Sequence, residues 1–334
     1  MFIRETVKDF IQGRSSYAVI KERKNVSIGT LSNWVHQFGL SCMNPIEISG
    51  ALRFRTYNRW SGILILDGKY LNKRSVLLLA IDYGTLDIVA WLVCEVESEE
   101  NYIALINTVE TVGYIIRAVV SDGNFSIITL TQPKKLNRTF KGTRNYPRPG
   151  IPPIKHKTAR LLDIPHQWCV VHAERELNRY TAKLPKEERK LIDILVHKIL
   201  FSNTIKQSEK WKEKLLEEAF NNSVVHKQIA MTIVARWNLL MAHHFIRVKG
   251  RKIPKDTNSI ENVISYVNTR LKTMRRLRSL NSAEVICNLI VVNFRTKPLI
   301  NTKNKLKRGK SPLSLVTGEK RRFDWMDFIK KPTA

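Results

Sequence analysis

The sequence predicts an α/β chain preceded by an all-helical segment, and three observations carry that reading. Between residues 62 and 96, short apolar runs alternate with turns containing Gly and Asp, the mark of strands. From about residue 184 onward, apolar residues recur three or four positions apart, the mark of helices. The first forty residues show the same helical spacing in short blocks, broken at Gly13 and at Ser27.

Composition bounds what such a chain does. Its 334 residues suffice for one large domain or two to three modest ones. A hydrophobic fraction of 43% excludes global disorder. Lys and Arg number 57 against 29 Asp and Glu, a formal net charge of +28. Self-repulsion of that size is best tolerated beside a polyanion such as DNA, RNA or an anionic membrane surface. Membrane insertion is excluded, because no apolar run approaches ~20 residues. The opening Met1-Phe2-Ile3-Arg4-Glu5 begins no signal peptide. Cys42, Cys94, Cys169 and Cys287 are scattered, with no CxxC pair, which suggests neither a disulfide scaffold nor a four-ligand zinc site. A reduced, cytoplasmic, nucleoid-associated protein is the expectation, although charge alone does not separate it from a ribosome-associated or RNA-modifying one.

At the front, Phe2, Ile3, Val7, Phe10 and Ile11 share a helix face, and Ser15-Ser16 caps a second helix carrying Val19 and Ile20. After a turn at Lys24-Asn25-Val26, Ser27 precedes Ile28, Leu31, Trp34 and Val35. Two short helices around a tight turn read as helix-turn-helix, with Thr30, Ser32, Asn33, His36 and Gln37 facing outward and Trp34 in the core. The competing reading is a plain trihelical bundle with no groove contact.

The strand region follows. Residues 62–66 run into Asp67-Gly68-Lys69-Tyr70, 76–81 run into Asp82-Tyr83-Gly84, and 88–96 form a third strand. A helix over 99–113 turns Ala104, Leu105, Thr108 and Val112 inward, and 115–120 forms a strand ending at Ser121-Asp122-Gly123. Three hairpin strands, a helix and another strand fit the opening of a ribonuclease-H-like domain. Asp67 and Asp122 then sit at strand ends, where rigid backbone fixes them. Paired carboxylates are what two metal ions need for phosphoryl chemistry. Asp82 competes for the first role, but a turn residue is the preferred reading of it.

Residues 131–165, rich in Pro, Lys, Arg and Asn, exceed an ordinary connection. A strand is expected over Trp168–His172 and a helix from Ala173. Cys169 and His172 form a Cys-x2-His pair. Structural zinc is one reading of it; a core cysteine beside a hydrogen-bonding histidine is the preferred one. Helical stripes then run through Leu191, Ile192, Leu195, Ile199 and Leu200, through Trp211, Leu215, Leu216 and Phe220, and through Ile229, Ile233, Trp237, Leu240 and Met241. Residues 258–278 form an amphipathic helix on Ile260, Ile264, Val267, Leu271 and Met274, with Asn258 or Ser259 as cap and Glu261 in its first turn. Arg270, Lys272, Arg275, Arg276 and Arg278, continuing through Arg295, Lys297, Lys303, Lys305, Lys307, Arg308 and Lys310, would lie along phosphates.

Four motifs in order now resemble insertion-sequence transposases of the Mutator-like group, within the wider Asp-Asp-Glu family. They are Asp67-Gly68-Lys69-Tyr70, Ser121-Asp122-Gly123, Cys169-x2-His172 with Arg175, and Asn258-x2-Glu261 with Arg270, Lys272 and Arg275. The late Gly309-Lys310-Ser311-Pro312 is also similar to a segment of that family. The resemblance implies Asp67, Asp122 and Glu261 as a catalytic triad holding Mg²⁺ or Mn²⁺, with His172 orienting a phosphate or a ligand. It further implies a helical insertion before the glutamate and terminal-repeat DNA as substrate. The expected map is a helix-turn-helix domain at 1–42 and the first part of a ribonuclease-H-like domain at 55–183. A helical insertion at 184–255, the glutamate-bearing part at 256–295 and a basic tail at 296–334 complete it. The function implied is metal-dependent cleavage at element ends and strand transfer to target DNA by a dimer or larger assembly. A non-catalytic helix-turn-helix regulator, or a nuclease of the same fold without strand transfer, is the alternative.

Overall fold

The computed structural model describes residues 2–13, 15–132, 164–182, 184–221, 223–272, 277, 279–300, 302 and 304–330. The chain divides into two compact units, one formed by residues 1–116 with 258–334 and the other by 117–257.

In the first unit, helices α1 (Phe2–Gly13), α2 (Tyr17–Lys24) and α3 (Ile28–Leu40) bury Val7, Phe10, Ile11, Ile20, Leu31 and Val35. Ser16 and Ser27 cap α2 and α3 by accepting from Val19 N and Thr30 N, and Asn25 supplies the left-handed residue between them at φ 52°. Phe10 stacks on Tyr17 with ring centroids 4.4 Å apart, which fixes α1 against α2. Trp34 is only half-buried, edge-on to Phe2, and so is not the core residue its spacing suggested. A short α4 (Pro45–Ala51) follows, closed by a capping box between Asn44 and Glu47.

Strands β1 (Ile63–Asn72), β2 (Ser75–Asp82) and β3 (Ile88–Cys94) form an antiparallel meander in the order β3-β2-β1. Every residue of β2 is buried, and α5 (Glu99–Thr111) packs on it. Leu105 and Val112 are buried as expected, but Ala104 is exposed and Thr108 half-buried, and Tyr102, Ile106 and Val109 complete the inner face, so the helix is turned part-way from the expected face. Strand β1 also continues past its apolar run. The backbone of Asp67 to Tyr70 pairs with Leu79 to Val76, so Asp67 lies within the strand and not at its end.

The rest of this unit is α12 (Asn258–Leu271), α13 (Leu280–Thr296), α14 (Pro312–Thr317) and a 3-10 turn at Trp325–Phe328. Helix α13 is buried along most of its length and packs on α3, β2 and β3. At the α3 crossing, Gly39 lies so close to Val285 that a Cβ would sit 2.5 Å from the Val285 carbonyl oxygen.

Two buried carboxylates tie the strand ends. Asp82 accepts from Ser61 N (2.8 Å), Ser61 Oγ (2.6 Å), Thr85 N (2.8 Å), Thr85 Oγ1 (2.9 Å) and Tyr114 Oη (2.8 Å). Burial, reinforced by the Asp82 charge, holds the Tyr114 phenol far above its ordinary pKa. Asp87 takes Arg295 bidentately, at 2.7 and 2.9 Å, and also accepts from Trp60 Nε1 at 3.2 Å.

In the second unit, β4 (Ala118–Ser121) pairs parallel with β5 (His166–Trp168), and α6 (Phe125–Thr131) follows β4. The two kinds of pairing, with helices packed beside the strands, make a mixed α/β architecture. Helix α7 (Val170–Thr181) starts three residues earlier than expected, which puts His172 on a helix and not on a strand. Tertiary bonds fix that boundary: Cys169 N makes the last bond to β4, to Ser121 O at 2.8 Å, and Val170 N turns to Lys255 O at 2.9 Å. Helices α8 (Lys186–Phe201), α9 (Ile205–Asn221), α10 (Val224–Ala235) and α11 (Trp237–Phe245) then pack around Ile192, Leu195, Leu200, Leu215, Ile229, Ile233 and Leu240. Leu191, Leu216 and Phe220, assigned to the stripes by spacing, are exposed. A two-residue hairpin, β6 (Arg247–Val248) and β7 (Arg251–Lys252), closes the unit.

Candidate functional site

Helix α3 presents a row of polar side chains to solvent. Its inner face is spent on Leu31, Val35, Phe38 and Gly39, leaving Thr30, Ser32, Asn33 and Gln37 exposed and His36 half-buried. Three of these, at 30, 33 and 37, fall on one helical row. All are short or amide-bearing side chains able to donate and accept, the chemistry that reads base edges. On α2, Arg23 is committed to Asp9 at 3.0 Å, and Lys24 lies 3.5 Å from the same carboxylate.

The three expected catalytic carboxylates have different surroundings. Asp67 is half-buried in β1, with Oδ1 accepting from Gly68 N at 2.8 Å. Asp122 directly follows β4 and closes a local turn, with Oδ1 accepting from Asn124 N at 2.9 Å. Trp168 Nε1 donates to the Asp122 carbonyl at 2.7 Å, and Gly123 at φ 90° lets that indole lie against the turn. Glu261 is exposed in the first turn of α12. Among the described residues, no group of three or more His, Cys, Asp and Glu side chains is arranged to hold a metal ion. That finding overturns both the expected metal-dependent enzyme and its Mg²⁺ or Mn²⁺ cofactor. The carboxylates at 67 and 122 are instead engaged with backbone amides in their own loops and strands.

The Cys-x2-His pair sits at the start of α7. Cys169 is buried and receives Thr257 Oγ1 at 3.4 Å, while His172, half-buried, has its Nδ1 3.5 Å from the same hydroxyl. Burial raises the Cys169 thiol pKa, but hydrogen bonds from His172 and Thr257 outweigh it and leave the thiol below its ordinary value.

Sequence reasoning passed over a buried polar system in the same unit. His166 Nε2 and Nδ1 lie 2.8 Å from Ser121 Oγ and 2.7 Å from Thr131 Oγ1, and Gln167 Oε1 accepts from His243 N at 2.7 Å. An isolated His or Gln in an apolar strand gives no sequence signal of that kind.

The basic tract also divides. Arg270 is 4% exposed and donates to Gln12 O at 2.6 Å, and Arg295 is 1% exposed on Asp87. Neither lies along phosphates as expected, because each guanidinium is consumed inside the unit. Lys272, Lys297, Lys305, Arg308 and Lys310 are exposed. Ser311 caps α14 with Pro312 in its first turn, which accounts for the Ser-Pro pair by helix initiation alone. Met274, Arg275, Arg276, Arg278, Lys303 and the basic residues of the 133–163 stretch lie outside the described residues. No helix among the described residues is long and apolar enough to cross a membrane. Compared with known families and with curated proteins, the chain matches no family model and no curated sequence.

Proposed function

We propose that this protein acts by binding double-stranded DNA, with α2 and α3 as a helix-turn-helix, and that it serves a transposable element whose terminal inverted repeats it reads. Its role in this reading is recognition and bridging of DNA, with two or more copies holding element ends near target DNA at the nucleoid in the cytoplasm. The ribonuclease-H-like domain becomes a scaffold for that binding.

One observation carries the proposal: the Ser27-capped α3, packed by one face and presenting Thr30, Asn33 and Gln37 on a solvent-facing row. The net charge of +28 supports a polyanionic partner, and the ordered motifs support the transposition setting.

A gel-shift titration tests it, using duplexes that carry the inverted repeats flanking the gene beside shuffled duplexes of equal length. The wild type should prefer the repeat duplex, and Asn33→Ala/Gln37→Ala should erase that preference, at ~1–3 kcal/mol per lost base contact. Residual binding by the variant should still weaken steeply with salt. Equal affinity of the wild type for both duplexes would refute sequence recognition, and an unaltered preference in the variant would remove α3 from it.

A further inference from the structure

The first unit contains a cavity of about 480 Å³, inside the range typical of small-molecule sites. Four cationic side chains line it: Lys8 from α1, Arg270 from the end of α12, Lys297 just after α13, and Arg322. The one carboxylate in the lining, Asp324, is already held by Lys8 at 2.5 Å. The wall therefore carries a marked excess of positive charge.

Its polar and apolar parts are distinct. Gln12 Nε2 donates to Asn293 Oδ1 at 3.1 Å, and Arg270 donates to the Gln12 carbonyl, so α1, α12 and α13 hold one another around the opening. Pro298, Ile300, Phe323 and Trp325 supply apolar wall. Trp325 is 1% exposed, and its Nε1 has no hydrogen-bond partner among the described residues. A buried indole N–H ordinarily finds an acceptor. An anionic oxygen in the cavity is an acceptor of the right kind, and the volume leaves room for more than a bare phosphate ion.

We infer that this cavity binds the phosphate of a nucleotide, with Lys8, Lys297 and Arg322 facing the phosphate, Arg270 held back in the wall by its bond to Gln12, Trp325 Nε1 donating to an oxygen, and the apolar wall against sugar or base. The nucleotide is either free in solution or a unit of a DNA strand. Nothing in the inference depends on α3, so the Asn33→Ala/Gln37→Ala protein should keep this site.

Full-length protein is titrated by equilibrium dialysis with deoxyadenosine monophosphate, with inorganic phosphate and with a short DNA duplex. Two variants are compared. Lys297→Gln/Arg322→Gln changes two exposed side chains, and Trp325→Phe removes the N–H donor while keeping a smaller aromatic ring in the wall. A free nucleotide as ligand gives saturable binding of the monophosphate, weakened about tenfold or more in the double variant and about fivefold in Trp325→Phe. Inorganic phosphate should compete with it. A strand unit as ligand gives no saturable binding of the monophosphate, but duplex affinity falls in both variants. Loss of duplex affinity in the charge variant alone would overturn the inference, since the cations would then act from the outer surface. Unchanged affinities for every probe in both variants would also overturn it.

Discussion

Replacing Arg295 by Met separates two accounts of the basic residues near the chain's end. If Arg295 served DNA, its loss would weaken phosphate binding and leave folding alone. The geometry argues the reverse. Its guanidinium meets Asp87 through Nε at 2.7 Å and Nη2 at 2.9 Å, with Arg295 1% and Asp87 0% exposed. Arg295→Met leaves a buried carboxylate with Trp60 Nε1 as its remaining side-chain donor among the bonds described, and removing one member of a buried pair costs about 3–5 kcal/mol. Asp87→Leu strands the guanidinium instead and should cost a similar amount. The pair itself is worth little against an apolar replacement of both members, because each ion has lost its water. Arg295 Nη1 adds to that cost, having no partner among the described residues. The double variant Arg295→Met/Asp87→Leu should therefore recover most of what either single change loses. Urea unfolding followed by tryptophan fluorescence measures this, since Trp60 and Trp91 flank the pair. The accompanying DNA titration should show an unchanged salt slope. A loss under about 1 kcal/mol for Arg295→Met, with the slope reduced by about one, would refute the structural role.

Two further outcomes follow from close contacts and from burial. Gly39→Ala should destabilise the first unit by about 1–3 kcal/mol or more, because its Cβ would meet Val285 backbone that cannot swing aside; a urea midpoint equal to wild type would show that α3 and α13 separate freely. Burial lowers His166 to about 3, and burial followed by the charges of His244, Lys255 and Lys252 lowers His243 to about 4. Unfolded chains take up these protons near pH 6.5 and the folded unit does not, so stability is complete above about 6.5 and declines as pH falls towards 3–4. The slope approaches ~1.4 kcal/mol per pH unit for each histidine. Urea midpoints measured across that window should show it, with a shallower slope in His166→Gln; a flat profile from 6.5 to 4.5 would refute the assignment.

Several elements were legible because a local rule sufficed. Ser16 and Ser27 announced their helices by side-chain capping, and the apolar runs at 62–66 and 76–81 announced strands. Legibility failed where a distant partner decided the outcome. The apolar run stops at Leu66, and Asp67-Gly68-Lys69 looks like its end, yet pairing with the wholly buried β2 extends the strand to Asn72. Val263, not Ile264, faces inward on α12, because tertiary packing sets the helix's rotation. Arg295 looks like any basic residue until Asp87, 208 positions away, is brought to it. The carboxylate triad was read from apparent strand ends and from motif order, and neither specifies how near three side chains come.

The division of the chain has a consequence for its manufacture. Strands β1 to β3 are made before residues 117–257, but α13, which packs on β2 and β3, is made only after the whole of that segment. At ~5–20 residues per second that segment takes roughly seven to thirty seconds. The second unit, continuous in sequence, can condense during the wait. The apolar meander meanwhile stands without one of its covering helices, a state that invites chaperone capture and makes loss of α13 damaging to strands synthesised long before it.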